Sequence, residues 1–335
     1  MRGQGRFLLI STGISLGDER KPVPLHIIEP GPPELQRLCL HAIAYAPVLT
    51  GGRGRLCNSS LSWLHCVQGY ENVSTLRTWH LPTPSTLLRR LRRPTPKRRY
   101  SVPEGIRAYA IGDVHGCVHE LEDLLAAIDK DAAGSSNETH LVFLGDLVDR
   151  GPHSSDVIGL LRTGPLPADV AHFIMGNHEE VMIDCYDGAN GRATAWLQYG
   201  GVETLESYGL KRQDILSPSF DVRLAMHDVI PASHIQFLRS FKDCVQLGDY
   251  LFVHAGIRPG IKIQDQWSRD FRWIRQGFLD NRSDHGCMVV HGHTIVPGVE
   301  FHKNRIAVDT GCYLTGRLSA VALEGDTIRV IELGS

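Results

Sequence analysis

The sequence predicts an α/β (α+β) domain over residues 101–335, with two β-sheets facing each other and helices outside. Three observations carry that expectation. Between residues 107 and 180, short apolar runs alternate three times with segments of helical spacing, which favours parallel strands joined by crossover helices. Beyond residue 244 the candidate strands follow one another closely, which suggests a second sheet with antiparallel character. Five short blocks (GDVHG at 112–116, GDLVDRG at 145–151, GNHEE at 176–180, HAG at 254–256 and GHT at 292–294) each end or closely follow an apolar run.

Ala108–Ile111 enters GDVHG as a buried strand would, and Leu121, Leu124, Leu125 and Ile128 follow at helical spacing. Leu141–Leu144 is a second strand, entering GDLVDRG, and Val157, Ile158, Leu160 and Leu161 suit the next helix. Phe173–Met175 is a third strand, entering GNHEE. Residues 194–209 and 231–241 read as helices, the second with Pro231 near its first turn. Candidate strands at 244–247, 250–253, 287–291, 305–309, 318–323 and 327–332 complete the set. The motif residues then lie just past strand ends, where open α/β sheets collect their ligands.

With 42% hydrophobic and 21% charged residues, the 335-residue chain has the composition of a soluble globular protein. Its net charge of −2 averages two unlike regions. Residues 1–100 carry 15 Lys/Arg against 5 Asp/Glu, whereas 101–335 carry 20 against 32. The acidic, organised part argues against a broad nucleic-acid surface, and no specific nucleic-acid binding is expected. Eight cysteines without a CxxC pair indicate neither a zinc knuckle nor a disulfide framework, so reduced thiols and a cytoplasmic location are expected. No apolar run approaches the roughly 20 residues of a membrane span, and Phe7 to Ile14 lacks a convincing cleavage site for a secretory signal. Residues 1–100 show no sustained periodicity and end in a basic, Pro-containing run, Leu87 to Tyr100. A solvated, disordered leader or a misassigned reading-frame extension is expected there, with an electrostatic tether as the alternative.

The blocks supply the side chains that a pair of hard-to-borderline metal ions would choose. Asp113 and His115 are one residue apart after the first strand, and in extended backbone such positions project to the same side. Asp146 occupies the same point after the second strand, and a carboxylate there can bridge two ions. Asn177 offers a neutral oxygen, and His254 and His293 close two further strands. This mixed set suits Mn²⁺, Fe or Zn²⁺ better than Ca²⁺ or Mg²⁺ alone. His178, beside Asn177, is assigned to acid–base work, with Asp149 holding its ring and raising its pKa. Arg150 and Arg275 are candidates for gripping phosphate oxygens. Each residue also has a plain structural reading: a Gly-Asn turn, a half-buried histidine, a salt-bridged turn at 149–151, a surface ion pair for Arg275.

Together the blocks resemble the PPP family of metallophosphoesterases, which contains Ser/Thr protein phosphatases and the symmetrical diadenosine tetraphosphatases. The resemblance covers about 107–335. It implies a calcineurin-like αββα sandwich of two mixed β-sheets with a dinuclear site. Asp113, His115 and the bridging Asp146 would hold the first ion, and Asp146, Asn177, His254 and His293 the second. His178 with Asp149 would be the general-acid pair, and Arg150 and Arg275 the phosphate clamp. Two divalent ions, Mn²⁺ first with Fe or Zn as alternatives, would activate a hydroxide for direct in-line attack on phosphorus. GHT lacks the second histidine of the GHxH found in nuclease-like branches, which favours the PPP branch. GNHEE resembles bacterial protein phosphatases, whereas the tetraphosphatases more often show GNHD. The implied activity is therefore phosphomonoester hydrolysis, on a phosphoprotein or a phosphorylated small molecule. A Ser/Thr phosphoprotein phosphatase comes first, a dinucleoside polyphosphate hydrolase second, and a non-catalytic metal-binding scaffold a remote third. The walls that would choose the substrate are expected in 186–242 and 257–285, with Tyr186, Trp196, Tyr199, Tyr208, Trp267 and Trp273 as candidate lining. Oligomeric state is left open.

Overall fold

In chain order the strands are β1 (Ile106–Ile111), β2 (Glu138–Phe143), β3 (Val170–Phe173), β4 (Cys244–Leu247), β5 (Tyr250–Val253), β6 (Met288–His291), β7 (Glu300–Phe301), β8 (Arg305–Ala307), β9 (Leu318–Glu324) and β10 (Thr327–Leu333). The computed structural model describes residues 100–189 and 191–334, which fall in one compact unit. The expected N-terminal extension, Tyr100 apart, lies outside the described residues.

One sheet has the order β10-β9-β1-β2-β3 and the other β4-β5-β6-β8-β7. β1, β2 and β3 are parallel. The helices α1 (Val118–Ala132) and α2 (Ser154–Thr163) cross between them, and α3 (Asn177–Tyr186) follows β3. Period-2 alternation along β1 builds two layers at once. Tyr109 and Ile111 pack with Leu121, Leu124 and Phe143 against the helices. Ala108 and Ala110 join Val142, Phe252, Val290 and Val321 in a separate core to which both sheets contribute. Small side chains on that face let two sheets approach. A third cluster, with Leu251, Val253, Val289, Phe271 and Phe278, covers the far side of the second sheet.

The two mixed sheets are as the fold class predicts; the sheet that takes strands 318–323 and 327–332 and the single helix at 194–209 are corrected. The strands near 318–323 and 327–332 complete the first sheet rather than the second: β9 runs antiparallel to β1, pairing Arg107 with Glu324 through Ile111 with Ala320. The second sheet is mixed, since β5, β6 and β8 are parallel and only β4 and β7 run against their neighbours. The long stretches after β5 and β6 are crossovers, which parallel pairing requires. The helix expected at 194–209 is broken into Ala193–Trp196, a π-helical turn Leu197–Gly201, and Val202–Ser207. Among the described residues all five cysteines are free, and no helix is long and apolar enough to cross a membrane.

Phe143 is fully buried in β2 and stacks on Phe173 with centroids 5.0 Å apart. Phe143→Ala is expected to lower stability by about 3–5 kcal/mol. Urea denaturation would show it as a large drop in midpoint, and an unchanged midpoint would contradict this packing.

Candidate active site

The blocks gather where the strands end, and they do so in strained backbone. Among the described residues the non-glycine positions with positive φ are His115 (46°), Asp146 (50°), Asp149 (71°), Arg150 (70°) and His293 (63°). All five are candidate site residues. Left-handed backbone costs a non-glycine residue on the order of 1–3 kcal/mol and persists only where surroundings enforce it. Here the enforcement is visible. The Asp146 carbonyl accepts N–H bonds from Val114 and His115, and Gly116 N–H donates to Leu147 O, so the first two loops are stitched together.

Imidazole and carboxylate groups then converge. His115 Nδ1 donates to Val148 O at 2.8 Å and His254 Nδ1 to Leu144 O at 2.8 Å, leaving both Nε2 atoms to face inward. His254 Nε2 lies 2.9 Å from Asn177 Oδ1, 3.1 Å from His293 Nδ1 and 3.4 Å from Asp146 Oδ1. His115 Nε2 is 3.6 Å from Asp146 Oδ2. Two buried groups suited to a metal result, His115–Asp146–His178 and Asp146–His254–His293, sharing Asp146. His115 takes a left-handed φ, so the run from Asp113 to His115 is not continuous extended backbone. Asp113 accepts the His293 N–H on both oxygens, at 3.0 and 3.1 Å.

The electrostatics ask for a cation. Burial and the neighbouring Asp309 push Asp113 well above the usual carboxylate range. Burial also raises Asp309, to about 6. For Asp146 burial acts upward too, yet the charges of His254 and His178 outweigh it and hold the carboxyl well below its ordinary value. Burial opposes protonation of His254, but Asp146 and Asp113 override it and lift its pKa to about 10. A proton on His254 thus supplies positive charge among acceptor atoms whose donor set fits borderline divalent ions.

His178 starts α3, where its N–H donates to Asp146 Oδ1 and its Nδ1 donates to Asp149 Oδ2 at 2.7 Å. Burial works against its proton, but Asp146 and Asp149 prevail and raise its pKa. Asp149 is wholly buried and is held from the opposite side by Trp196 Nε1 at 3.0 Å and Thr204 Oγ1 at 2.6 Å. It orients His178 rather than closing a salt-bridged turn with Arg150. The π-helical turn explains itself at this point. Gly200 has φ 115°, its carbonyl accepts the Arg150 N–H, and any side chain there would meet the Arg150 backbone. Arg150 points NH1 at His115 Nε2 (2.9 Å), under the Tyr313 ring at 4.8 Å. Arg275 donates to His293 O at 3.1 Å.

Sequence reasoning missed several residues. Buried Glu179 accepts N–H bonds from Asp146, Leu147, Val148 and Gly176, while burial and Asp146 push its pKa up to about 7. It is the first Glu of GNHEE, and nothing local marks it apart from its neighbour Glu180. Asp309 follows an apolar run and precedes Thr-Gly, the same strand-end signature as the five blocks, so it was detectable. Thr204 and Tyr313 left no local signal, and Trp196 was expected as lining but not as a donor to Asp149.

Asp146, Asn177, His178, His293, Arg150 and Arg275 line one cavity of about 440 Å³. Of the six aromatic residues expected on its walls, Trp196, Tyr199 and Trp273 are there. Tyr186 packs on His227, Tyr208 bonds His234, and Trp267 lies under Arg258.

A two-sheet sandwich whose strand ends present buried His/Asp clusters and guanidinium groups defines a metal-dependent phosphoesterase, and the chain belongs to the calcineurin-like phosphoesterase family, whose model matches residues 106–321. It is 26% identical over 244 residues to the asymmetrical bis(5'-nucleosyl)-tetraphosphatase PrpE of Bacillus anthracis, covering 66% of this chain and 92% of that one. The crystal structure of a putative diadenosine tetraphosphatase aligns with a TM-score of 0.46 at 23% identity, over 68% of this chain and 93% of that one. A protein serine/threonine phosphatase from Saccharomyces cerevisiae aligns with a TM-score of 0.41 at 13% identity, over 69% and 80%.

Thr204→Val should leave the buried Asp149 carboxylate short of one donor. A loss of about 1–3 kcal/mol is expected in chemical denaturation. A variant as stable as the parent would mean that Trp196 and His178 satisfy Asp149 unaided.

Proposed function

We propose that the chain is a metal-dependent hydrolase of phosphate esters and anhydrides, with dinucleoside tetraphosphates as the favoured substrate class. The observation that carries the chemistry is a single cavity uniting Asp146, Asn177 and His293 with the His178 acid and the Arg150 and Arg275 guanidiniums. Asp113, His115 and Asp146 would hold one divalent ion, and Asp146, Asn177, His254 and His293 a second. Such ions, when bound, polarise phosphoryl oxygens and lower the pKa of a shared water. Arg150 and Arg275 bind the equatorial phosphate oxygens and offset their charge. His178 delivers a proton from Nε2 to the departing oxygen while Asp149 keeps Nδ1 protonated. Similarity to the Bacillus PrpE enzymes supports the tetraphosphate reading. The GNHEE block favours a second reading, a Ser/Thr phosphoprotein phosphatase.

Comparing kcat/KM for diadenosine tetraphosphate and a phosphoserine peptide, with Mn²⁺ supplied, decides between them. At least tenfold preference for the tetraphosphate is expected. The reverse order selects the phosphoprotein reading, and inactivity on both with Mn²⁺, Fe²⁺ and Zn²⁺ favours a non-catalytic scaffold.

His178→Ala should cut turnover of an alkyl phosphate by about 10²–10⁴ with metal content intact, and spare p-nitrophenyl phosphate, whose leaving group needs less help. Loss of metal by elemental analysis would instead make His178 a ligand. The pH dependence has a fixed sign. A general acid works protonated, so alkyl-ester turnover falls as pH rises through the raised pKa of His178. Asp149→Asn removes one source of that rise, and the alkaline limb of the kcat profile should move to lower pH. An unmoved limb would sever Asp149 from this role.

A further inference from the structure

We infer that Trp273 and Tyr199 form a nucleobase-stacking subsite at the mouth of the catalytic cavity, with Trp273 positioned by Glu180. The inference deepens the proposed function and rests on it. Both rings line the cavity that holds the catalytic groups, and both are open to solvent, Trp273 at 37% and Tyr199 at 66%. The cavity, about 440 Å³, has room for more than a phosphate group, and two large aromatic faces stand open along its wall. They offer what a planar base needs, since every base presents a π-face.

The Trp273 ring is also held. The Trp273 indole N–H donates to Glu180 Oε2 at 2.5 Å, so its one donor is committed and the ring face is what remains to offer a ligand. Arg272 pairs with Glu180 and with Asp243, fixing the helix Ser268–Trp273 to α3. Glu180 lies one turn beyond Asn177 on α3, so one helix carries a metal-binding amide, the acid and the Trp273 tether. Tyr199 lies in the π-helical turn, next to Gly200, whose carbonyl accepts the Arg150 N–H. Tyr199 is thus one residue and one backbone hydrogen bond from Arg150, and Trp273 is one hydrogen bond from the helix that carries Asn177 and His178. Val181 and Ala195 add apolar wall between the charged groups. Guanidinium groups beside one tethered and one exposed ring match a phosphate chain ending in a base. A phosphopeptide would use the guanidiniums and leave the rings without a partner.

The test compares diadenosine tetraphosphate with inorganic tetraphosphate, which has an equal phosphate chain and no base. The ratio of their kcat/KM values should fall at least fivefold in Trp273→Ala and in Tyr199→Ala, given what stacking contributes per base. Trp273→Phe should hold most of the ratio. Glu180→Gln, which keeps an acceptor for the indole, should hold it as well, whereas Glu180→Ala should lower it. A smaller fall in both alanine variants overturns the subsite, as does a wild-type ratio near one. In those cases hydrolysis of both compounds leaves the proposed function standing. If the wild type cleaves neither compound, the proposed function and the subsite fall together. Melting temperatures close to wild type confirm that the variants are folded, and the far more exposed Tyr199 supplies the readout should Trp273→Ala unfold.

Discussion

One buried carboxylate braces the strand ends on which everything else depends. Glu179 collects N–H groups from the GDLVDRG loop and from the turn that opens α3, four in all. Those loops leave different strands, and each carries backbone that would relax if freed. Acceptor oxygens on a short side chain hold them at a fixed separation. The Asp146 carbonyl then passes the constraint on to the GDVHG loop. A charged group without water or a cationic partner is costly to bury. Four N–H donors are what make this one tolerable, and they also set the spacing of the reactive groups.

Strain is concentrated rather than spread. Among the described residues, left-handed backbone at non-glycine positions falls wholly on candidate site residues. Around them β1, β2, β5 and β6 are apolar and mostly buried on both faces, as parallel strands covered on both sides are. The rigid part of the molecule therefore holds its irregular part in shape. The π-helical turn belongs to the same logic: it bends a helix so that Gly200 can receive Arg150 and Trp196 can receive Asp149. π-Bulges occur often at functional sites, where a residue must be re-aimed without ending the helix.

What could be read in the sequence was what is local. Each metal-suited residue sits within a few positions of an apolar run, so the strand and its motif are visible together. Partner choice between strands is not local. β9 and β10 show the right alternation, but nothing in residues 318–333 says that they pair with β1 rather than β8. The break at Leu197–Gly201 was hidden for a related reason, because its cause is Arg150, fifty residues earlier. Asp113 and His115 were read as a pair from strand geometry, which gave no hint of the left-handed φ at His115. Glu179 was in plain view, but its function depends on donors that only the folded loops bring to it.

β1 lies between β2 and β9, one neighbour about thirty residues away and the other more than two hundred. Even the first motif waits for the second neighbour, since Gly112 N–H donates to Ser319 O. A ribosome adding about 5–20 residues per second needs roughly 10–40 s to travel from β1 to β9. Through that interval β1 is an open edge, a surface that invites foreign strands. The nascent chain is thus at its most aggregation-prone while the first ligand loop is still unfinished. Topology itself acts as a timer, withholding the neighbour that completes the first motif until β9 has left the ribosome.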